Sequence, residues 1–276
     1  MFDTPIRHAA TKVPGERGYA SEWNADHIIT SDLLPRRSAT IIVAASDSLD
    51  KGRADYVCDG VADQVEIITA IDNLPAGGGK VVLLEGTYKI NDTIGINKAN
   101  VTIEGQGKNT KIKETGNVSP MIQAVGRDYT IIKMIALESI GEDVTGISFT
   151  NQNHCKIENV WSETTAECFY LYNCNYCTIT LSEGNNATKG IQLWSCKYCI
   201  LSMNYVKNNI DGIDIRGDSD NNIIESNICM NNEDTGILIA EATCNKNLVH
   251  GNICIGNGTD INNQGRDTTL ADNVTT

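Results

Sequence analysis

From residue 146 to the end of the chain, a strand-like run opens about every 22 residues, and it nearly always opens on glycine. Gly146 begins Gly-Ile-Ser-Phe-Thr, Cys168 begins Cys-Phe-Tyr-Leu-Tyr, Gly190 begins Gly-Ile-Gln-Leu-Trp and Gly212 begins Gly-Ile-Asp-Ile-Arg. Gly236, after a two-residue insertion, begins Gly-Ile-Leu-Ile-Ala, and Gly258 begins Gly-Thr-Asp-Ile-Asn. The second and fourth positions are large and apolar in Ile147/Phe149, Phe169/Leu171, Ile191/Leu193, Ile213/Ile215 and Ile237/Ile239. That alternation belongs to a strand with one buried face. A second strand recurs out of phase in Lys156–Glu158, Thr178–Thr180, Ile200–Ser202 and Ile223–Glu225, with Asn, Asp, Gly and Ser between, residues that tolerate left-handed turns. One such coil cannot bury its own apolar edge, but a stack of coils can. The pattern predicts an all-β chain folded as a single right-handed parallel β-helix, a solenoid.

Cysteine follows the same period. Cys155, Cys177 and Cys199 are 22 apart, as are Cys174 and Cys196. Stacking like on like at ~4.8 Å makes them ladders of small buried thiols. A disulfide framework belongs to short secreted chains with small cores. Cys174-Asn-Tyr-Cys177 and Cys196-Lys-Tyr-Cys199 also have zinc-site spacing, but the ladder accounts for both pairs, and no metal is expected.

The formal net charge is −13 and there is no basic run, which argues against nucleic acid or an anionic membrane as partner. No run of about 18 apolar residues offers a membrane span. The N-terminus lacks the charged and apolar regions of a signal peptide. The sequons at Asn186, Asn257 and Asn273 are what an Asn- and Thr-rich chain produces by chance.

Three segments differ in kind. Residues 1–37 are polar, carry Pro5, Pro14 and Pro35, and read as an extended arm. Trp23 and Ile28-Ile29 suggest that the arm docks on another subunit or a larger assembly, the alternative being a loose terminus. Residues 38–90 read as a capping strand–helix–strand. Within it Val65, Ile68, Ile71 and Leu74 form the apolar helix face, and Asp63 with Glu66 forms a capping box. Residues 91–276 read as the β-helix.

The stretch Asp59-Gly-Val-Ala-Asp63, the helix, and Gly77-Gly-Gly-Lys-Val-Val-Leu-Leu-Glu-Gly-Thr-Tyr88 resembles the opening of the pectate-lyase-like superfamily, in particular its branch in bacteriophage tail spikes. Asn221-Asn-Ile-Ile-Glu-Ser-Asn227 and Asp234-Thr-Gly-Ile-Leu-Ile239 resemble Asn-rich carbohydrate-binding and sugar-hydrolase repeats of the same superfamily. The resemblance covers about residues 40–276. It implies the fold, a virion or extracellular location, assembly as a homo-oligomer (a trimer, as related spikes form), attachment to a larger particle through residues 1–37, and a cell-surface glycan as ligand. One fold hosts many activities, so the role must come from the site.

In the glycine-led strands the third and fifth positions point away from the core: Ser148/Thr150, Tyr170/Tyr172, Gln192/Trp194, Asp214/Arg216 and Leu238/Ala240. Tyr170, Tyr172, Gln192, Trp194, Arg216 and Glu241 are therefore candidates for glycan contact, or for a subunit interface. Asn209-Ile-Asp-Gly-Ile-Asp-Ile215 resembles a polygalacturonase stretch. That would make Asp211 and Asp214 two catalytic carboxylates, joined by Glu233, Asp234 or Glu241 from the next coil. The family's Gly-Asp-Asp, Gly-His-Gly and Arg-Ile-Lys are missing, and His250-Gly251 stands without its preceding glycine. Asp-Gly-Ile also arises because a turn needs Asp and Gly. A lyase would need calcium and an Arg or Lys base, a pattern met only by Asp214 and Arg216; otherwise no cofactor is expected. The expectation is a tail-spike-like glycan binder. The alternatives are a polysaccharide lyase or hydrolase and a purely structural surface protein.

Overall fold

The computed structural model describes residues 39–276, together with a two-stranded antiparallel pairing of Pro5–Ile6 with His27–Ile28. Met1–Ser38 and Ala39–Thr276 are separate units. The docking reading of Trp23 lies outside the described residues.

From residue 40 onward the chain is a parallel β-helix. Its three sheets hold eight, eleven and nine strands, and each strand pairs with its counterpart one coil away. A typical coil runs Lys189–Trp194 in the eight-stranded sheet, Ile200–Ser202 in the eleven-stranded sheet and Tyr205–Lys207 in the nine-stranded sheet. The register follows the sequence period: Ile147 lies over Phe169, which lies over Ile191, Ile213 and Ile237. These columns form one continuous buried core. The sheets begin before residue 91, since Gly79–Leu83 and Gly86–Ile90 already pair with Val101–Glu104 and Thr110–Glu114.

Close approach explains the glycines. A Cβ on Gly190 would sit 2.7 Å from the Gly212 carbonyl oxygen, and one on Gly212 would sit 2.5 Å from that of Gly236. Cys168, the one opening that carries a side chain, faces Gly184, which leaves room for it.

At the corners the chain turns through single left-handed residues. Asn159, Leu181, Met203 and Ser226 mark one corner, and Asn186, Asn208 and Asn231 another, all at φ between 50° and 60°. At a third corner these residues are Tyr129, His154, Tyr176 and Tyr198, about half-exposed tyrosines with a histidine among them. Their rings stack at centroid spacings of 5.1, 5.2 and 5.1 Å, a contact that offsets part of the steric cost of a bulky left-handed residue.

Inside the corners run asparagine ladders. The Asn227 Oδ1 accepts from the backbone N–H and the Nδ2 of Asn204, both at 3.0 Å, while the Asn227 Nδ2 donates to Leu201 O and to Asn252 Oδ1. Asn209, Asn232 and Asn257 repeat this at a second corner, and Asn222 and Asn247 at a third. The ladders satisfy backbone groups that the sheets leave unpaired at each bend. Cysteines hold comparable places in earlier coils, with Cys155 N–H against Cys177 Sγ at 3.4 Å. All ten cysteines are buried free thiols.

The helix Gln64–Asp72 covers the first coils with a face that is only partly the one expected: Ile71 and Leu74 belong to it and Ile68 packs part-buried against the core, but Val65 does not. Ile67, Ala70, Ile71 and Leu74 are buried, whereas Val65 is 54% exposed. The capping box is also absent. Asp63 makes no side-chain cap to the helix; its Oδ1 accepts from Gly60 N–H and its Oδ2 from Lys89 N–H. Asp63 thus ties the helix entry to the strand Gly86–Ile90, and burial raises its pKa against the pull of those two N–H groups.

Candidate functional site

The outer face of the eight-stranded sheet carries three side-chain columns. The first runs Glu167, Lys189, Asp211, Thr235. Ser148, Tyr170, Gln192, Asp214 and Leu238 form the second, and Thr150, Tyr172, Trp194 and Arg216 the third. The alternation that sends Ile191/Leu193 and Ile213/Ile215 inward sends the second and third columns outward; the first column stands two residues before inward positions, and its place beside this face is marked by Lys189 Nζ, 3.9 Å from Asp214 Oδ2. The face therefore gathers Tyr170, Tyr172, Gln192, Trp194, Asp211, Asp214 and Arg216 within three successive coils.

Asp214 is its electrostatic centre. The Arg216 Nε donates to both carboxylate oxygens, at 2.6 and 2.9 Å, and the Gln192 Nε2 donates to Oδ2 at 2.9 Å. Lys189 Nζ lies 3.9 Å from the same oxygen. Although it points outward, Asp214 is 0% exposed, sealed by these partners. It is a charge that organises its neighbours rather than a free carboxylate for attack. Arg216 uses only Nε on Asp214, and its terminal nitrogens have no partner among the described residues, so they remain available to an external acceptor. Burial works against the guanidinium charge, but Asp214 outweighs it and raises the Arg216 pKa.

Asp211 differs. It is 7% exposed, and its Oδ1 is buried without a hydrogen-bond partner among the described residues. Desolvation, then the charges of Asp214 and Asp234, raise its pKa against the opposing pull of Lys189 and Arg216. Such a carboxyl can hold a proton where an ordinary aspartate has lost it. Glu233 and Asp234 are exposed at the next coil's turn, and Glu241 is part-exposed near enough to Arg216 to act on its charge.

Tyr172 and Trp194 are 41% and 40% exposed. Tyr170 and Tyr172 lie 6.4 Å apart at a tilt of 35°. Burial, then Glu167, pushes the Tyr170 phenol up to about 12, so at neutral pH it is a hydrogen-bonding group and not a base. The Trp194 indole lies over the turn at Gly217, where a Cβ would come 2.4 Å from its ring. Sequence reasoning missed Lys189, whose signal was its place 22 residues before Asp211. The asparagines of Asn221–Asn227, read from the sequence as turn formers in a stretch that resembles carbohydrate-binding repeats, serve the fold instead. Asn222 and Asn227 are 0% exposed ladder members, unavailable to a ligand.

The sequence model of one family, described as periplasmic copper-binding protein (NosD), matches residues 79–276. No curated protein matches the chain in sequence. Among solved structures, the mannuronan C-5 epimerase A-module of Azotobacter vinelandii superposes with a TM-score of 0.63 at 17% identity, covering 78% of this chain and 72% of that one. An alginate lyase from Paenibacillus sp. gives 0.57 at 17% identity, covering 79% and 77%. The tailspike of Pseudomonas phage phi297 gives 0.57 at 11% identity, covering 74% and 51%. These likenesses establish the right-handed parallel β-helix.

Among the described residues within 79–276, no three His, Cys, Asp or Glu side chains bring their ligand atoms together as a copper site would need. Within residues 79–276 every cysteine is buried, and several thiols are committed to backbone carbonyls, as Cys168 is to Ser162 O and Cys196 to Leu171 O. Burial raises the pKa of Cys168 and Cys244, which keeps them protonated. Among the described residues the one cluster of three ligand types is Cys58, Asp63 and Glu66, outside the matched span. There both Asp63 oxygens are taken by backbone N–H groups and burial raises the Cys58 thiol out of the thiolate range.

Proposed function

The chain belongs to the family described as periplasmic copper-binding protein (NosD), by a match across residues 79–276; within that fold we propose that it binds polysaccharide along the outer face of its eight-stranded sheet. One observation carries the reading: exposed aromatic rings at Tyr172 and Trp194 stand in the same column as Arg216, whose terminal nitrogens have no partner among the described residues. Aromatic faces take the apolar faces of sugar rings, and a fixed guanidinium takes their hydroxyls. The Asp214 charge is already matched by Arg216 and Lys189, and the chain's net charge of −13 repels polyanions. A neutral glycan suits the face best.

The tail-spike setting rests on the resemblance of residues 59–88. In it the protein is a cell-surface glycan binder of a virion or extracellular assembly, attached through residues 1–37 and trimeric, so that three weak faces act with avidity. A single-chain mass in sedimentation would remove the trimer from this reading. Trp194→Ala should weaken binding to a neutral polysaccharide ligand about tenfold, the loss of one stacking contact at ~1.4 kcal/mol. Unchanged affinity in a calorimetric titration would overturn the proposal.

A second reading, hydrolysis or lyase chemistry, is favoured by Asp211 alone, a desolvated carboxyl with an unpartnered oxygen beside a fixed carboxylate. It requires the wild type to release reducing ends or unsaturated product from the bound glycan, and Asp211→Asn to abolish that release. Binding without turnover removes it.

A further inference from the structure

The nine-stranded sheet carries a second hollow, on a flank that the proposal above does not use. It has a volume of about 220 Å³ and is walled by Lys108, Lys111, Glu138, Trp161, Glu183 and Asn185. Register builds it: Trp161 lies between Ala136 and Glu183, and Glu163 between Glu138 and Asn185. The small side chain of Ala136 leaves space beside the indole.

Two features point to a ligand. Asn185 is only 4% exposed, and its Oδ1 is buried with no hydrogen-bond partner among the described residues. An amide oxygen left so keeps an uncompensated desolvation cost until something donates to it. The indole is also held in place, its Nε1 donating to Glu183 Oε1 at 3.0 Å. Lys108 Nζ sits 5.1 Å from the ring centroid and 3.4 Å from Glu183. Its side chain is 60% exposed, so displacing it forfeits a surface ion pair and an exposed contact with the ring, both weak in water.

Charge decides the class of ligand. Lys111 and Lys113 both pair with Glu138, at 2.7 and 2.5 Å, and Lys108 pairs with Glu183. With Glu163 counted, three cations meet three carboxylates, so the hollow has no excess charge for an ionised sugar. It offers one ring face, a buried acceptor, and carboxylate and ammonium groups that can exchange surface partners for hydroxyls. We propose that this hollow is a secondary binding site for one neutral pyranose unit, stacked on Trp161 with a hydroxyl donated to Asn185 Oδ1.

The site stands independently of the eight-stranded face, and the test separates the two. In full-length protein the indole N–H resonances of Trp161 and Trp194 are assigned by Trp→Phe variants, then followed while cellohexaose, maltohexaose or oligogalacturonate is added to millimolar concentration. The proposal expects a saturable shift of the Trp161 resonance with a neutral oligomer, retained in Trp194→Ala. It expects Asn185→Ala to weaken that response about fivefold without lowering the melting temperature, since the lost oxygen has no partner to abandon. A response at Trp194 alone overturns this site and leaves the first reading intact; silence at both resonances overturns this site and counts against the first. A stronger Trp161 response to oligogalacturonate overturns the neutral class. A fall in the melting temperature of Asn185→Ala assigns that amide a structural role and overturns its part in binding.

Discussion

At residue scale, Asp211 and Asp214 show how one spacing yields two electrostatic fates. Three positions apart on one strand, they differ in who answers their charge. Asp214 has a guanidinium and an amide in direct contact, while Asp211 has an orphan oxygen and two like charges nearby. The folded-state pKa of Asp211 is therefore raised above its unfolded value. Below the unfolded pKa both states are protonated and the site costs nothing. As pH rises the unfolded state ionises first, so the native state binds more protons, and stability falls until pH has passed the folded-state pKa. Asp211→Asn should remove that fall. Denaturant melts should find the variant more stable than wild type at neutral pH, with the difference vanishing at strongly acidic pH. A variant less stable at neutral pH would show that Asp211 has an unrecognised stabilising partner.

At the scale of elements, the period of the chain settles strand pairing, while corners settle stability. Losing Asn227 strands the Asn204 N–H and the Leu201 carbonyl in a dry interior. Asn227→Ala should therefore cost about 2–4 kcal/mol, whereas Asn231→Gly, an exposed left-handed corner residue, should change little. Equal costs in urea melts would contradict the ladder's role. The apolar alternation of the glycine-led strands was legible in the sequence, because period 2 along a strand and 22 between coils both leave regular traces. The asparagines were legible as turn residues but not as buried ladders, since exposure depends on the coil above. The helix was legible and its face only in part. Ile71 and Leu74 face the core and Ile68 packs part-buried against it, as their spacing suggests, but Ile67 and Ala70 join them and Val65 stays exposed, a choice made by how the helix lies on the solenoid and not by its own periodicity. Asp63 reads as a cap by composition, yet the strand Gly86–Ile90 competes for its oxygens and wins.

At the scale of the described solenoid, stacking turns a repeat into surfaces longer than any single coil. The outer columns were predictable by counting in 22s, so the meeting of Tyr172, Trp194 and Arg216 was readable before the fold was known. The sealing of Asp214 was not, because it depends on the rotamers of Arg216 and Gln192. The hollow at Trp161 was also out of reach, since its residues come from separate coils of a sheet most of whose strands are three residues long and too short to show a pattern. The most direct test of the central claim, that a flank of the solenoid meets the polymer, is hydrogen–deuterium exchange of the full-length protein with and without a bound neutral polysaccharide. The account predicts added protection in Glu167–Tyr172, Lys189–Trp194 and Asp211–Arg216. Protection absent from these strands and confined to the ends of the solenoid or to the eleven-stranded sheet would contradict it.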